Sequence, residues 1–479
     1  MVRDLKKWYY AFGFQGSAYG LASLVVSLFV VVALNGNVAS ASLAMAMFSV
    51  GNLTGSFFTG VFLDKHPHFF EMVFLSALVD AITLVFMALT SSILIYYFLS
   101  MGFGFFLSMM SPAIITYLNK KFEEDVYRKE ISTLNLFNSV GITIGIFFGG
   151  AWLTLSLPMI SDETLKMRTM FLLSAIFFGI SATFASFYLK RKILAIGHRS
   201  RRFSINLHSL AGNIIALPHN VISPFNMSYF KPETKRYMAG LFVIFLGANM
   251  FFTPFPIFLK KVLNIPSGYI FLIYGLNNLF TNTAYIFTNK AMQRFRDMSI
   301  MSVVVWIRIA MFLTIALSVF ASHLGVWITM SAFMVIGFTW PFFYIPATIQ
   351  ATNLALPENK GKIMGLFNMV INLGAISASF IAGYLALKFG YIFSFSLGSA
   401  LLLFGDRILA KIARMHPIRE ELLREKKGFW DDIINFKKKI HSTSKKEKTA
   451  KISSESEKLE KSVKEESVER IKKTDKRFR

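Results

Sequence analysis

Residues 138–150 read NSVGITIGIFFGG. Gly141, Gly145 and Gly149 stand four apart, Gly150 follows, and the residues around them are almost all apolar. In water a helix loses about 1 kcal/mol for each glycine that replaces alanine. In lipid, small residues at every fourth position let two helix backbones approach closely. A second stretch, GAISASFIAG at 374–383, repeats the device as Gly374, Ala378, Ala382 and Gly383. A shift of 233 residues (374 − 141) lays one stretch on the other and brings Asn135 to Asn368 and Lys129 to Lys362. A shift of 225 (277 − 52) aligns Asn52 with Asn277, Asp64 with Asn289 and Lys65 with Lys290. Static packing explains one small-residue face. Two faces at matching positions predict two repeated half-bundles.

The rest of the chain supports a membrane setting. Of its 479 residues 54% are hydrophobic, 52 of them phenylalanine, and apolar runs long enough to cross a bilayer as helix recur. No sustained polar–apolar alternation is present, which argues against a β-barrel. The fold class is therefore an all-α polytopic membrane protein with twelve transmembrane helices in two six-helix pseudo-repeats. The predicted spans are 9–34, 39–63, 69–90, 93–118, 132–156, 168–190, 237–259, 267–289, 299–321, 325–350, 362–387 and 391–412. An Ala-Ser-Ala at 39–41 could mark a signal-peptide cleavage site. The apolar run Ala18–Leu34 continues a helix from near Trp8 and outlasts a signal core, so the span is expected to be retained. The chain has no cysteine, which excludes disulfides, thiolate metal sites and cysteine nucleophiles.

The formal net charge of +24 has an ordinary explanation in a membrane protein. Lys6, Lys7, Lys65, Lys120, Lys121, Arg128, Lys129, the 190–202 cluster, Lys235, Arg236, Lys290, Arg294, Arg296, Lys360 and Lys362 fall on one side of the predicted bilayer. The other side has Lys166, Arg168, Lys260, Lys261 and Lys388. The positive-inside rule places both termini in the cytoplasm of a multi-pass cell-membrane protein. Nucleic acid is not an expected partner, because the tail mixes Lys with Glu and Ser as a solvated segment does.

Four regions follow: a six-helix bundle at 1–190, a basic linker at 191–236, a second six-helix bundle at 237–413 and a charged tail at 414–479. In the linker Leu207, Leu210, Ile214 and Leu217 recur at helical spacing, as in a helix lying on the membrane face. Residues 416–440 set Phe429, Trp430, Ile433 and Ile434 beside Lys437–Lys439, an interfacial pattern. The remainder of the tail has the composition of a disordered segment.

Over residues 5–413 this plan resembles the major facilitator superfamily. Gly60, Asp64 and Lys65 after the second span resemble the family's loop motif, which continues with Gly and basic residues where this chain has Pro67 and His68. The resemblance implies a cytoplasmic gate that includes Gly60, Asp64, Lys65 and their counterparts Asn289 and Lys290. Gly145, Gly149 and Gly150 resemble the antiporter signature, with Ile146 in place of its proline. Gly102 and Gly104 resemble a fourth-helix motif whose arginine position is Phe98 here. The family cavity is lined by the first, fourth, seventh and tenth helices with help from neighbours. That implies substrate-binding candidates Gln15, Tyr19, Tyr97, Ser108, Asn138, Asn249, Thr253, Asn277, Asn278, Trp340, Tyr344 and Asn372. Prolines 254, 256, 341 and 346 in the seventh and tenth spans would loosen those helices as gates, or fix kinks in them.

Two charges stand at mid-span, Asp80 in the third and Arg308 in the ninth. Intramembrane charges mark function by default, with a proton a candidate co-substrate at Asp80. The peripheral place of these helices in the family favours a structural role, each charge bonded within its own bundle. No cluster of His, Asp, Glu or Ser has a catalytic spacing, no metal or cofactor site is expected, and no P-loop is present. The expected function is gradient-driven or facilitative transport of a small neutral or amphipathic organic solute, with export favoured by the fifth-span glycines. The rivals are uptake of a neutral metabolite such as a sugar, and a carrier-like receptor or scaffold worked by the tail. Deleting residues 414–479 separates the last from the others, because a transporter keeps its flux.

Overall fold

A computed structural model describes residues 2–65, 69–121, 124–155, 162–189, 231–321, 324–354 and 360–415. The expected linker helix near 207–217, the interfacial segment 416–440 and the tail 441–479 lie outside the described residues. The helices are α1 (Val2–Val32), α2 (Val38–Lys65), α3 (Phe69–Leu89), α4 (Ile93–Lys121), α5 (Glu124–Thr154) and α6 (Glu163–Phe184). After the linker come α7 (Pro232–Phe252), α8 (Phe255–Lys261), α9 (Ser267–Arg294), α10 (Asp297–Leu317), α11 (Leu324–Asn353), α12 (Lys360–Phe389) and α13 (Tyr391–Met415). The described residues contain no β-strand. The seventh span is two helices, because Pro254 interrupts it after Thr253.

Eleven of the predicted spans are long and apolar enough to cross a membrane by length and composition. The twelfth is α9, which carries Asn277, Asn278, Asn282 and three threonines. It is as long as its neighbours and packs between α5 and α11, where Asn277, Asn278, Thr281 and Asn282 meet groups of those helices.

The repeat is visible in the packing. Helix α1 lies against α5 and α6; α7 lies against α12 and, through Gly247 and Gly398, against α13. The α2–α4 pair corresponds to α9–α11, and α3–α4 to α10–α11. Helix caps repeat as well. Leu34 N–H donates to Phe29 O at 3.1 Å and Gly36 N–H to Val30 O at 2.8 Å, around Asn35 at φ 53°. In the second half Leu263 N–H donates to Phe258 O at 3.2 Å and Ile265 N–H to Leu259 O at 3.0 Å, around Asn264 at φ 52°. Asparagine tolerates the left-handed conformation that ends such helices.

The glycines that opened the sequence reading divide between two partners. A Cβ at Gly141 or Gly145 would run into the backbone carbonyls of Gly13 and Ser17 on α1. Gly149 lies between Met170 of α6 and Phe271 of α9, and Gly150 faces α9, with a Cβ there lying 3.1 Å from Gly268 O. The second half obeys the same division: Gly374 faces Phe242 and Leu246 of α7, and Gly383 faces Val38 and Ser42 of α2. One end of each glycine run therefore closes its own half. The other end joins the two halves, along α5–α9 and α2–α12.

The main apolar core draws on both halves and includes Phe29, Phe171, Phe251, Phe255, Phe271 and Phe395. A second core, around Trp8, Phe12, Leu63, Phe69, Met110 and Tyr117, is drawn from the first six helices and the turn after α6. It lies at the end of the bundle where α1 begins, here called the terminal face; the other end is the far face.

Candidate functional site

The apolar character of α1, α4, α7 and α11 puts few polar groups at mid-depth, and the structure shows how each expected candidate is held. Gln15 is buried, and Tyr19, Tyr97 and Asn138 are partly buried. Ser108 turns to its own helix and donates to Phe105 O at 2.9 Å. Asn249 and Asn372 do likewise, to Phe245 O at 2.8 Å and Asn368 O at 2.9 Å. Thr253 meets Ser379 of α12 at 3.2 Å. Asn277 Nδ2 donates to Phe333 O of α11 at 2.6 Å.

The aromatic candidates form a connected wall. Trp340 stacks on Tyr344 with ring centroids 5.4 Å apart, takes Phe245 edge-on at 6.0 Å, and Tyr344 continues to Phe367 at 6.0 Å. Arg308 comes from α10, with its guanidinium 5.3 Å from the Trp340 ring centre and Nη2 donating to Ile336 O at 3.2 Å. Arg308 is 4% exposed and its Nε has no hydrogen-bond partner. A buried cation held by a ring and one carbonyl leaves much of its charge unanswered. Asp80 on α3 is wholly buried and neither carboxylate oxygen has a partner. The expected internal hydrogen bonding is therefore present for Arg308 in part and absent for Asp80.

The proline helices are stitched. Pro341 removes the amide that would bond Gly337 O, and Thr281 Oγ1 of α9 donates to that oxygen at 2.9 Å. Pro254 removes the donor for Met250 O, and Ser394 Oγ of α13 donates there at 2.9 Å. Hydroxyls of neighbouring helices thus satisfy both freed carbonyls, one at the Pro254 break and one within the continuous α11.

A polar node joins the halves at mid-depth. Ser139 Oγ donates to Asn282 Oδ1 at 2.7 Å, Asn282 Nδ2 to Thr143 Oγ1 at 3.2 Å, and Thr143 lies 3.3 Å from Asn278 Oδ1. Sequence reasoning found Asn278 alone. The signal it passed over was the density of Asn and Thr on one helix that has to lie in lipid.

Four of the five far-face cations engage groups of the fold, and Lys261 is exposed. Lys166 Nζ donates to Leu155 O at 2.6 Å and Leu153 O at 3.4 Å, capping the end of α5. Arg168 donates to Ala88 O at the end of α3 and to Ser91, with its guanidinium over the Phe29 ring. Lys260 grips both carboxylate oxygens of Glu163 at 2.7 and 2.9 Å. Lys388 lies over the Tyr384 and Phe389 rings. At the terminal face, open space surrounds Gly60 of the expected gate; the side chains of Asp64, Lys65, Asn289 and Lys290 are outside the described residues.

Residues 9–379 match the family described as Major Facilitator Superfamily. None of the curated proteins compared with the chain matches it. Among solved structures, a point mutant of the nucleoside transporter NupG superposes with a TM-score of 0.66 at 14% identity, covering 85% of this chain and 99% of that one. A POT family transporter in complex with a thioalcohol-conjugated peptide gives 0.66 at 14%, covering 87% and 96%. A bacterial homologue of the iron transporter ferroportin, in an inward-facing state, gives 0.65 at 11%, covering 86% and 99%.

Proposed function

From the premise that the chain belongs to the major facilitator superfamily, we propose that this multi-pass membrane protein moves a small neutral or amphipathic organic solute by alternating access. The observation that carries the solute class is the lining. The mid-depth portions of α1, α4, α7 and α11 contain no Asp, Glu, Lys, Arg or His, while the partly buried Trp340 and Tyr344 stack on each other against the buried rings of Phe245 and Phe367. A phosphate or dicarboxylate would lack its bidentate cationic partner there. Planar or apolar bodies with a few hydrogen-bonding groups suit such a wall. Export is favoured over uptake by the fifth-span glycines, and the linker side is assigned to the cytoplasm. The small number of far-face cations, Lys166, Arg168, Lys260, Lys261 and Lys388, against the many basic residues of the linker side supports that orientation.

The test is thermal stability of the purified full chain against a solute panel at two pH values. A bound solute at about 100 times its Kd adds roughly 2.7 kcal/mol to the folded state. Amphipathic or planar compounds are expected to raise the midpoint, and Tyr344→Ala is expected to remove the rise. Stabilisation by sugars alone favours uptake. Stabilisation confined to phosphates or dicarboxylates overturns the neutral-solute reading.

A further inference from the structure

The two halves meet closely at the far face, and one ion pair crosses the seam there. Glu163 is the first residue of α6 and Lys260 the penultimate residue of α8, so the pair ties the first half to the short helix beyond the Pro254 break. Both oxygens of the carboxylate are used, at 2.7 and 2.9 Å, and the side chains are 37% and 20% exposed. Beneath the pair the seam is built from backbone contact. A Cβ on Gly268 would lie 3.0 Å from Gly150 O and would collide with Thr154 Oγ1; one on Gly383 would collide with Ser42. From the far face the joining contacts reach mid-depth, where the Ser139–Thr143–Asn278–Asn282 node hydrogen-bonds the first six helices to the later ones. Toward the terminal face, a Cβ at Gly60 or at Gly365 meets nothing.

We propose that Glu163–Lys260 is the latch that holds the far face closed, and that the Ser139–Thr143–Asn278–Asn282 node is the pivot about which the halves turn. This rests on the alternating-access reading above. The two elements differ in the chemistry that suits their parts. The node is made of short uncharged groups at the depth where a rocking motion displaces atoms least, so its bonds survive the motion. The latch lies at the rim, where the same rotation carries its partners farthest apart, and each partner regains water when it opens. A partly exposed ion pair contributes little to folding. Two conformations that differ by a small free energy are nevertheless shifted by a contact of that size when only one of them contains it. The glycine seam beneath is shape without charge and fits closely only in the closed state.

The absence of cysteine makes the motion measurable in the full chain. Spin labels at Ser92 and Leu324 span the far face, and labels at Thr183 and Arg296 span the terminal face; all four positions are exposed. In lipid nanodiscs, Glu163→Gln and Lys260→Gln are each expected to raise the far-open population roughly two- to fivefold, lengthening the first distance and shortening the second. Exchanging the charges, Glu163→Lys with Lys260→Glu, is expected to restore the starting distributions. Local fraying of α8 would lengthen the first distance and leave the second unchanged, which counts against the latch. A wedge in the seam, Gly150→Trp, separates the two levels of the argument, with Gly268→Leu as its alternative if the first does not fold. If a wedge moves both distances in opposite senses and the charge variants move neither, the latch is wrong and the rocking stands. If the wedges produce no opposed movement, alternating access itself falls.

Discussion

Thr281 donates its hydroxyl to the carbonyl oxygen of Gly337 at 2.9 Å, and that oxygen is the one Pro341 leaves without a helical donor. Thr281→Val should lower stability by about 0.6–2 kcal/mol, the range for a side-chain hydrogen bond inside a membrane bundle. Pro341→Ala restores an amide to serve Gly337, so the loss from Thr281→Val should shrink in that background. Unfolding of the single and double variants measures the coupling, and strict additivity would show that the stitch carries no energy.

The small-residue faces make opposed predictions for one chemical change. At Gly145 an added methyl meets the backbone of Ser17, and α1 has to move to admit it. Gly145→Ala should therefore cost about 1–3 kcal/mol, as overpacking does. At Gly102 the same methyl meets nothing within 4 Å, and Gly102→Ala should be neutral or gain up to about 1 kcal/mol from helix propensity. Thermal or denaturant midpoints of the two variants, measured side by side, check the contrast.

The paired caps offer a check on the repeat itself. Asn35 and Asn264 hold φ of 53° and 52°. Replacement by alanine should cost about 1–2 kcal/mol at either site, and replacement by glycine should be neutral or favourable. Matching midpoints for the two alanine variants would show that the halves share this solution energetically as well as geometrically.

Arg308 tests the price of a buried charge. Arg308→Met should leave the thermal midpoint unchanged or raise it, because it removes an incompletely answered cation and keeps the volume. Arg308→Lys should lower stability by about 1–3 kcal/mol, since an ammonium keeps the charge and loses the planar contact with Trp340. If transport uses Arg308 to hold Trp340, both variants lose solute stabilisation whatever their midpoints do.

Apolar run length carried the helices, and the positions of Gly141, Gly150, Gly374 and Gly383 carried the repeat. What those positions withheld was the identity of the partner, because spacing shows that a backbone approaches and not which one. Gly145 and Gly150 read alike in sequence, yet one faces α1 and the other α9. The candidate cavity residues were legible as polar groups at depth. Their hydrogen bonds were not: Asn249, Asn372 and Ser108 satisfy themselves on their own helices, and only coordinates distinguish this from a group that faces a solute. Asn35 and Asn264 were missed for a different cause. A single Asn after an apolar run resembles any loop residue until a second copy appears at the same place.

The polarity of α9 reaches back to the protein's synthesis. Partition of a nascent segment into lipid depends on its own apolarity, and this one falls short of its eleven companions. Its asparagines and threonines find partners on α5, made earlier, and on α11, made later. Its stable seat in the bilayer is therefore expected to draw on both, so that the second half relies on a helix of the first for one of its own spans.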